Sequence, residues 1–361
     1  MRGDGRDKVT DTTDLRVAMP IVAHNPNLGP SSPIVVPQGR VLGWGTMERN
    51  IAVIGAGLIG RAWAMVFARA GWNVRLHDRE RAQLDAAQAF IAASLAEQAE
   101  YQLVADPAAA AARIETMPDL DAALAGVDWV QENLPETAEV KREVFALLDR
   151  HAPREAVLAS STSAIPASQF TEPLAGRARC LVAHPVNPPH LVPVVELCGA
   201  PWTAPEVMER ARRVYADVGQ VPIVVRREID GFILNRLQGA LLSEAMRLVG
   251  EGYVSPDDLD KTVRDGLGLR WSFIGPFATI ELNAPGGVAD YCSRYGGALR
   301  RLAEAPPAAS VWDPGNVRRV AAALGAPPPG DVLDARTRWR DRRLMALARH
   351  KQDQSNVEVK E

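Results

Sequence analysis

The stretch Asn50–Asp78, NIAVIGAGLIGRAWAMVFARAGWNVRLHD, constrains the chain more than any other. Ile51–Ile54 is a short β-branched apolar run of the kind that forms a buried strand. Gly55, Gly57 and Gly60 follow in the order G-x-G-x-x-G. Ile59, Trp63, Val66, Phe67 and Ala70 then fall at helical spacing, Gly71 is a helix stop, and Val74–His77 reads as a second strand ending at Asp78. The spacing has a physical meaning. Gly55 permits the tight turn, Gly57 lets a pyrophosphate approach the backbone, and Gly60 lets helix and strand pack closely. The free N–H groups at the helix start, around Leu58 and Ile59, offer a positive dipole end to that pyrophosphate. A carboxylate closing the second strand accepts the ribose hydroxyls and repels a 2′-phosphate, so Asp78 favours NAD over NADP; Arg79 beside it weakens that preference. Preceding strand, following helix and distant acid are all present, which a bare glycine motif lacks. Glu132 is placed with Gly55, Gly57, Leu58, Ile59, Gly60 and Asp78 in the expected cofactor set.

Strand and helix signals alternate beyond Asp78. Helices are expected over Arg79–Ala112, interrupted at Asp106-Pro107, and over Glu136–His151. Strands are expected at Ile114–Met117, Asp128–Leu134, Ala156–Ala159, Cys180–Ala183, Val194–Leu197 and Val221–Val225. Such alternation implies a parallel, doubly wound sheet of α/β class, whose ligands sit beyond the carboxyl ends of the strands. From Phe232 the pattern turns helical throughout, with Ser255-Pro256 as a helix start. The expected organisation is therefore an NAD-binding domain over 47–229 and an all-α domain over 230–361. Residues 1–46 carry five prolines between Pro20 and Pro37 and no sustained periodicity, and read as a disordered extension outside the functional unit.

Bulk properties exclude several classes. A formal net charge of -3 gives no global pull toward nucleic acid. No apolar run approaches bilayer length. The three cysteines, Cys180, Cys198 and Cys292, lack metal-ligand spacing and read as buried thiols in a reducing compartment, hence a cytoplasmic protein with no metal.

Motifs at strand ends carry the chemistry. Ser160-Ser161-Thr162-Ser163 closes one strand, and His184-Pro185-Val186-Asn187-Pro188-Pro189 closes the next. Glu196 lies twelve positions after His184, and the proline-rich turn between could lay their strands side by side. Hydride transfer from a secondary alcohol to NAD needs a base for the hydroxyl proton, for which histidine suits neutral pH. A carboxylate on its other nitrogen would fix the tautomer. The alternative is a histidine buried for packing and a glutamate paired elsewhere. Ser163 and Asn235 are candidates to hold the substrate oxygen; their alternatives are a helix cap and a solvent-facing amide.

Together, Ser161-Thr162-Ser163, His-Pro-x-Asn-Pro-Pro at 184–189, Val-Val-Glu-Leu at 194–197 and Gly-Phe-Ile-Leu-Asn-Arg-Leu at 231–237 resemble the 3-hydroxyacyl-CoA dehydrogenase family. The stretches at 160–163, 181–189, 243–260, 266–276 and 338–351 resemble its λ-crystallin / L-gulonate 3-dehydrogenase branch. The likeness covers roughly residues 50 to 351. It implies a catalytic His184–Glu196 dyad, substrate-orienting Ser163 and Asn235, a homodimer built largely through the helical domain, and a substrate in the interdomain cleft. Arg270, in a Gly-Leu-Arg-Trp sequence similar to that of enzymes acting on small free acids, is expected to meet a substrate carboxylate through its bidentate fork; the alternative is a salt bridge. The expected activity is NAD-dependent oxidation of the 3-hydroxyl of a small hydroxy acid, best L-gulonate. A short-chain 3-hydroxyacyl-CoA or carnitine is the alternative substrate, and a structural or NAD-sensing crystallin-like role the alternative of another class.

Overall fold

The computed structural model describes residues 49–355, so the expected extension over 1–46 lies outside the described residues. The chain runs β1 (Asn50–Ile54), α1 (Leu58–Arg69), β2 (Asn73–His77), α2 (Arg81–Glu100), α3 (Pro107–Ala112), β3 (Ile114–Met117), α4 (Leu120–Leu124) and β4 (Trp129–Glu132). It continues through α5 (Ala138–His151), β5 (Val157–Ser160), α6 (Ser168–Thr171), β6 (Cys180–Pro185), β7 (Val194–Gly199), α7 (Pro205–Asp217), β8 (Val221–Val225) and α8 (Leu234–Gly250). Helices alone follow among the described residues: α9 (Pro256–Lys261), α10 (Gly268–Trp271), α11 (Pro276–Leu282), α12 (Gly287–Ala303), α13 (Pro314–Leu324) and α14 (Gly330–Ser355).

The described residues form two compact units, 49–245 with 325–355, and 246–324. The division falls inside α8, and α14 groups with the sheet, where Arg342 Nε meets Glu97 Oε1 at 2.7 Å.

In the first unit the strands lie in the order β3-β2-β1-β4-β5-β6-β7-β8. Neighbours from β3 to β6 are parallel. The doubly wound, mostly parallel sheet is as expected, with one reversal: β7 runs antiparallel to β6, and β8 then pairs parallel with β7. Only residues 186–193 separate β6 from β7. A parallel return needs a crossover of a dozen residues or more, so a link this short reverses the chain beside itself.

The side-chain alternation of β1 shows how the sheet is buried on both faces. Ile51 and Val53 join a cluster with Trp63 and Phe67 of α1, Leu84 of α2 and Tyr215 of α7. Ala52 and Ile54 join another with Phe145 and Leu148 of α5 and Phe170 of α6. A strand covered on both sides reads as an unbroken apolar run rather than as an alternation. On α1 the sequence-expected face is buried at Trp63, Val66 and Phe67. Trp63, Phe67 and Tyr215 pack ring against ring, with Trp63 and Tyr215 centroids 5.4 Å apart.

The second unit is helical. Asn316 of α13 donates from Nδ2 to the carbonyls of Met246 and Val311, at 3.1 and 2.8 Å. A π-helical turn, Thr262–Leu267, leads into α10. No helix among the described residues is long and apolar enough to cross a membrane. Burial pushes the thiols of Cys180 and Cys198 up to about 12, which makes them inert, but Cys292 on α12 is exposed, contrary to its reading as a buried thiol.

Candidate active site

The glycine turn has the geometry its spacing implies. Gly55 has φ +94°, and its N–H donates to the carbonyl of His77, which ties the end of β1 to the end of β2. An added Cβ at Gly60 would sit 1.8 Å from the carbonyl oxygen of Gly55, so helix and turn touch there. An added Cβ at Gly57 would meet nothing within 4 Å, leaving open space over the turn. Gly57 caps α1 without a side-chain bond, and among the described residues no side chain accepts from the first N–H groups of the helix. Leu58 is exposed beside this opening, and Ile59 packs partly against the core. This is a cradle fitted to a pyrophosphate.

The adenosine end is equally legible. Asp78 Oδ2 accepts from Ala56 N at 2.9 Å and Oδ1 from Glu80 N at 3.0 Å, which fixes the carboxylate at the strand end. A cavity of about 320 Å³ opens there, walled by Ile54, Leu120, Leu134, Val144 and Leu147. Asp78, Asp119 and Glu143 line it against one guanidinium, Arg79. Apolar walls suit a flat base, and an excess of carboxylates disfavours a 2′-phosphate. His77 Nδ1 lies 2.9 Å from the carbonyl of Met117, a structural contact.

Glu132 does not belong to this set. It is fully buried, and its carboxylate is occupied by Lys141 Nζ at 2.8 and 2.9 Å, Leu134 N at 2.6 Å and Ser160 Oγ at 2.6 Å. An ion pair out of water needs every lone pair engaged, and this one has none left for a ligand. The expectation of a cofactor ligand at Glu132 is therefore corrected to a buried strut between β4, β5 and α5.

The dyad is assembled by the strand reversal. His184 and Glu196 are direct partners across the antiparallel β6–β7 pair, and His184 Nδ1 lies 2.9 Å from Glu196 Oε2. Both are buried, at 4% and 1% exposure. The other oxygen, Oε1, accepts from Ile233 N at 2.8 Å and Leu234 N at 2.9 Å, the N–H groups at the entry to α8. Burial alone would push the Glu196 carboxyl up; the bonds from His184, Leu234 and Ile233 outweigh it and hold the group below the usual carboxylate range. An ionised carboxylate only accepts, so Nδ1 of His184 carries the proton and Nε2 is the free base.

Asn235 follows directly in α8. Its Nδ2 donates to the carbonyl of Ser163 at 2.9 Å, so the serine loop, α8 and the dyad are joined through hydrogen bonds. The Ser163 side chain is not a helix cap: α6 begins at Ser168. Its hydroxyl makes no hydrogen bond among the described residues.

Three contributors escape sequence reasoning. Phe232, at φ 46°, turns the chain into α8, and its buried ring lies 5.6 Å from the His184 ring. Asn133 presses on the glycine turn: a Cβ at Gly55 would lie 3.0 Å from its carbonyl oxygen. Ser161 Oγ donates to Asn133 Oδ1 at 2.7 Å and accepts from Gln131 Nε2 at 2.8 Å and Trp63 Nε1 at 3.0 Å. Arg270 lies on α10 in the helical unit, exposed, with no ion pair among the described residues.

Glycine cradle, acid-lined base cavity and buried His–Glu pair define an NAD-dependent oxidoreductase acting on a CH–OH group. Comparison with known proteins carries the assignment further. Residues 50–229 match the family model for the 3-hydroxyacyl-CoA dehydrogenase NAD-binding domain, and residues 231–319 match the C-terminal domain model. A λ-crystallin homolog of Bos taurus is 44% identical over 84% of this chain and 95% of its own length. An L-carnitine dehydrogenase of Streptomyces griseus is 37% identical over 70% of this chain and 75% of its own. Among solved structures, the NAD⁺-dependent 5-formyl-3-hydroxy-2-methylpyridine 4-carboxylic acid 5-dehydrogenase superposes with a TM-score of 0.72, at 28% identity, over 84% of this chain and 98% of that one. The chain belongs to the 3-hydroxyacyl-CoA dehydrogenase family, and NAD is its cofactor.

Proposed function

We propose that the protein oxidises the 3-hydroxyl of a small free hydroxy acid, with L-gulonate the best candidate and 3-dehydro-L-gulonate the product. The single observation that carries the reading is the buried His184 Nδ1–Glu196 Oε2 contact of 2.9 Å, with Glu196 anchored in turn by the start of α8. Bound NAD supplies the hydride acceptor. His184 Nε2 takes the hydroxyl proton as the alcohol becomes a ketone, and returns it in the reverse direction. Glu196 holds the imidazole in that tautomer and stabilises the imidazolium. Ser163 and Asn235 orient the reacting oxygen. Arg270, free of an ion pair among the described residues, binds the substrate carboxylate.

Likeness to the λ-crystallin homolog supports the branch, and likeness to an L-carnitine dehydrogenase supports a small 3-hydroxy acid as substrate. Exposed apolar side chains, among them Leu237 and Leu241 of α8 and Leu299 and Leu302 of α12, support a homodimer built through residues 230–361. In this reading residues 47–229 hold NAD, residues 1–46 are dispensable for turnover, and the protein works in the cytoplasm.

NADH formation with L-gulonate, 3-hydroxybutyrate, L-carnitine and 3-hydroxybutyryl-CoA tests the reading in one panel. The highest kcat/KM is expected with L-gulonate. Preference for the CoA ester would refute the free-acid assignment, and no turnover of any substrate would favour a structural, crystallin-like role. Arg270→Ala should raise KM for the acid at least tenfold with kcat little changed; an unchanged KM removes Arg270 from the site.

A further inference from the structure

One residue outside the expected site bears on both members of the dyad. Phe232 has φ 46° and follows Gly231 at φ 75°. A left-handed backbone suits glycine and strains a residue that carries a Cβ. Two consecutive left-handed residues turn the chain sharply, and Ile233 N and Leu234 N then converge on Glu196 Oε1 at 2.8 and 2.9 Å. A phenylalanine keeps such a conformation only where its surroundings hold it. Here the ring is fully buried and belongs to the cluster of Val182, Cys198 and Val225 on one face of the sheet. Val182 and Cys198 are a cross-strand pair two positions along from His184 and Glu196, so all four side chains share that face. There the phenyl and imidazole rings lie 5.6 Å apart, tilted by 36°.

We propose that Phe232 is the positioning residue of the dyad: its ring sets the plane of the His184 imidazole, while its backbone turn aims the N–H groups that anchor Glu196. Phe232 supplies no atom to the chemistry, and its role rests on the reading that His184 is the base. The physical reason is a freedom that the carboxylate leaves open. The bond from His184 Nδ1 to Glu196 Oε2 fixes one ring atom, not the tilt of the ring about that bond. Histidine χ2 is a broad torsion with little preference of its own. Tilting the ring swings Nε2 away from the substrate hydroxyl. A flat aromatic ring packed beside the imidazole limits that tilt. Displacement of a reacting group by about 1 Å lowers turnover by about 10²-fold.

The experiment compares Phe232→Leu, Phe232→Gly and His184→Gln with the double variant Phe232→Gly/His184→Gln, on the best substrate of the panel. Leucine fills much of the ring's volume but is not flat. Glycine removes the ring and adopts a positive φ without strain, so it keeps the turn. Leucine should lower kcat about 10-fold and glycine about 100-fold, with KM for NAD within about twofold of wild type. Amide hydrogen exchange at Ile233 and Leu234 should stay slow in both, which reports an intact Glu196 anchor and a folded chain without recourse to turnover. Because the effect passes through the imidazole, Phe232→Gly should add less than about threefold to the loss in His184→Gln. Wild-type kcat in Phe232→Gly, or in Phe232→Leu should the glycine variant not fold, overturns the role of the ring. Fast exchange at Ile233 and Leu234 in Phe232→Leu overturns it as well, since the loss then comes from the carboxylate. Full additivity with His184→Gln overturns the link to the imidazole. A rise in KM for NAD at constant kcat overturns the proposal in favour of a cofactor contact. Wild-type turnover in His184→Gln removes the base itself, a failure of the underlying reading that no Phe232 variant would show.

Discussion

Replacing Glu196 by glutamine isolates what the dyad carboxylate contributes. The carboxylate accepts three hydrogen bonds in a site almost closed to water: His184 Nδ1 on one oxygen, and Ile233 N and Leu234 N on the other. Glutamine is isosteric but has one acceptor and one donor end. The two backbone N–H groups cannot become acceptors. Turning the amide nitrogen toward them would leave both unsatisfied, at about 1–3 kcal/mol each. The amide oxygen therefore faces α8 and the NH₂ faces the imidazole. His184 must then accept at Nδ1 and carry its proton on Nε2, the atom that should receive the substrate proton. The substitution reverses the tautomer with little change in shape. Loss of the orienting carboxylate in an analogous triad lowers kcat by about 10⁴-fold, so kcat/KM should fall about 10³- to 10⁴-fold, or about 4–5.5 kcal/mol of transition-state stabilisation. Initial rates of NADH formation measure the loss, and nitrogen NMR of the imidazole reads the tautomer directly. A fall in kcat/KM of less than tenfold, or an Nδ1-protonated imidazole in the variant, would refute the reasoning.

Other outcomes follow from the same geometry. Gly60→Ala places a methyl 1.8 Å from the Gly55 carbonyl oxygen, so α1 must shift from the turn; NAD binding by calorimetry should be lost, and retention of wild-type affinity would disprove close packing there. Ser161→Ala strands two buried donors and one acceptor around Ser161 Oγ, and urea unfolding should show a loss of about 2–5 kcal/mol; a loss under 1 kcal/mol would mean that water replaces the hydroxyl. His190 is buried beside Arg69, Arg340 and Arg61, and burial first, then those charges, push its pKa from 6.5 down to about 3. It is neutral when folded and protonates on unfolding below pH 6.5, so its stabilising effect is present above that pH and is lost as pH falls toward 3. The loss amounts to about 2 kcal/mol by pH 5. His190→Phe should remove that part of the acid sensitivity, seen as a smaller difference between unfolding curves at neutral pH and at about pH 5; an unchanged difference would contradict the assignment.

Whatever depends on neighbours along the chain is legible from the residues alone. The glycine turn, the helix face Trp63-Val66-Phe67 and the acid Asp78 are set by spacing within 29 residues, because turn chemistry and helical period act locally. The His184–Glu196 pairing was within reach for a related reason: the link of residues 186–193 is too short for anything but a reversal, so the two side chains fall into register. What lay beyond the sequence was decided by which elements come to lie side by side. Glu132 and Glu136 stand four residues apart and look alike in the chain. Only the packing of α5 against the sheet buries the first on Lys141 and leaves the second gripping the loop of Ser163. The same holds for Glu196, whose second oxygen is engaged by α8, 37 and 38 residues away. A carboxylate's partner is chosen by proximity in space and by what burial leaves unsatisfied, and neither is written in local periodicity.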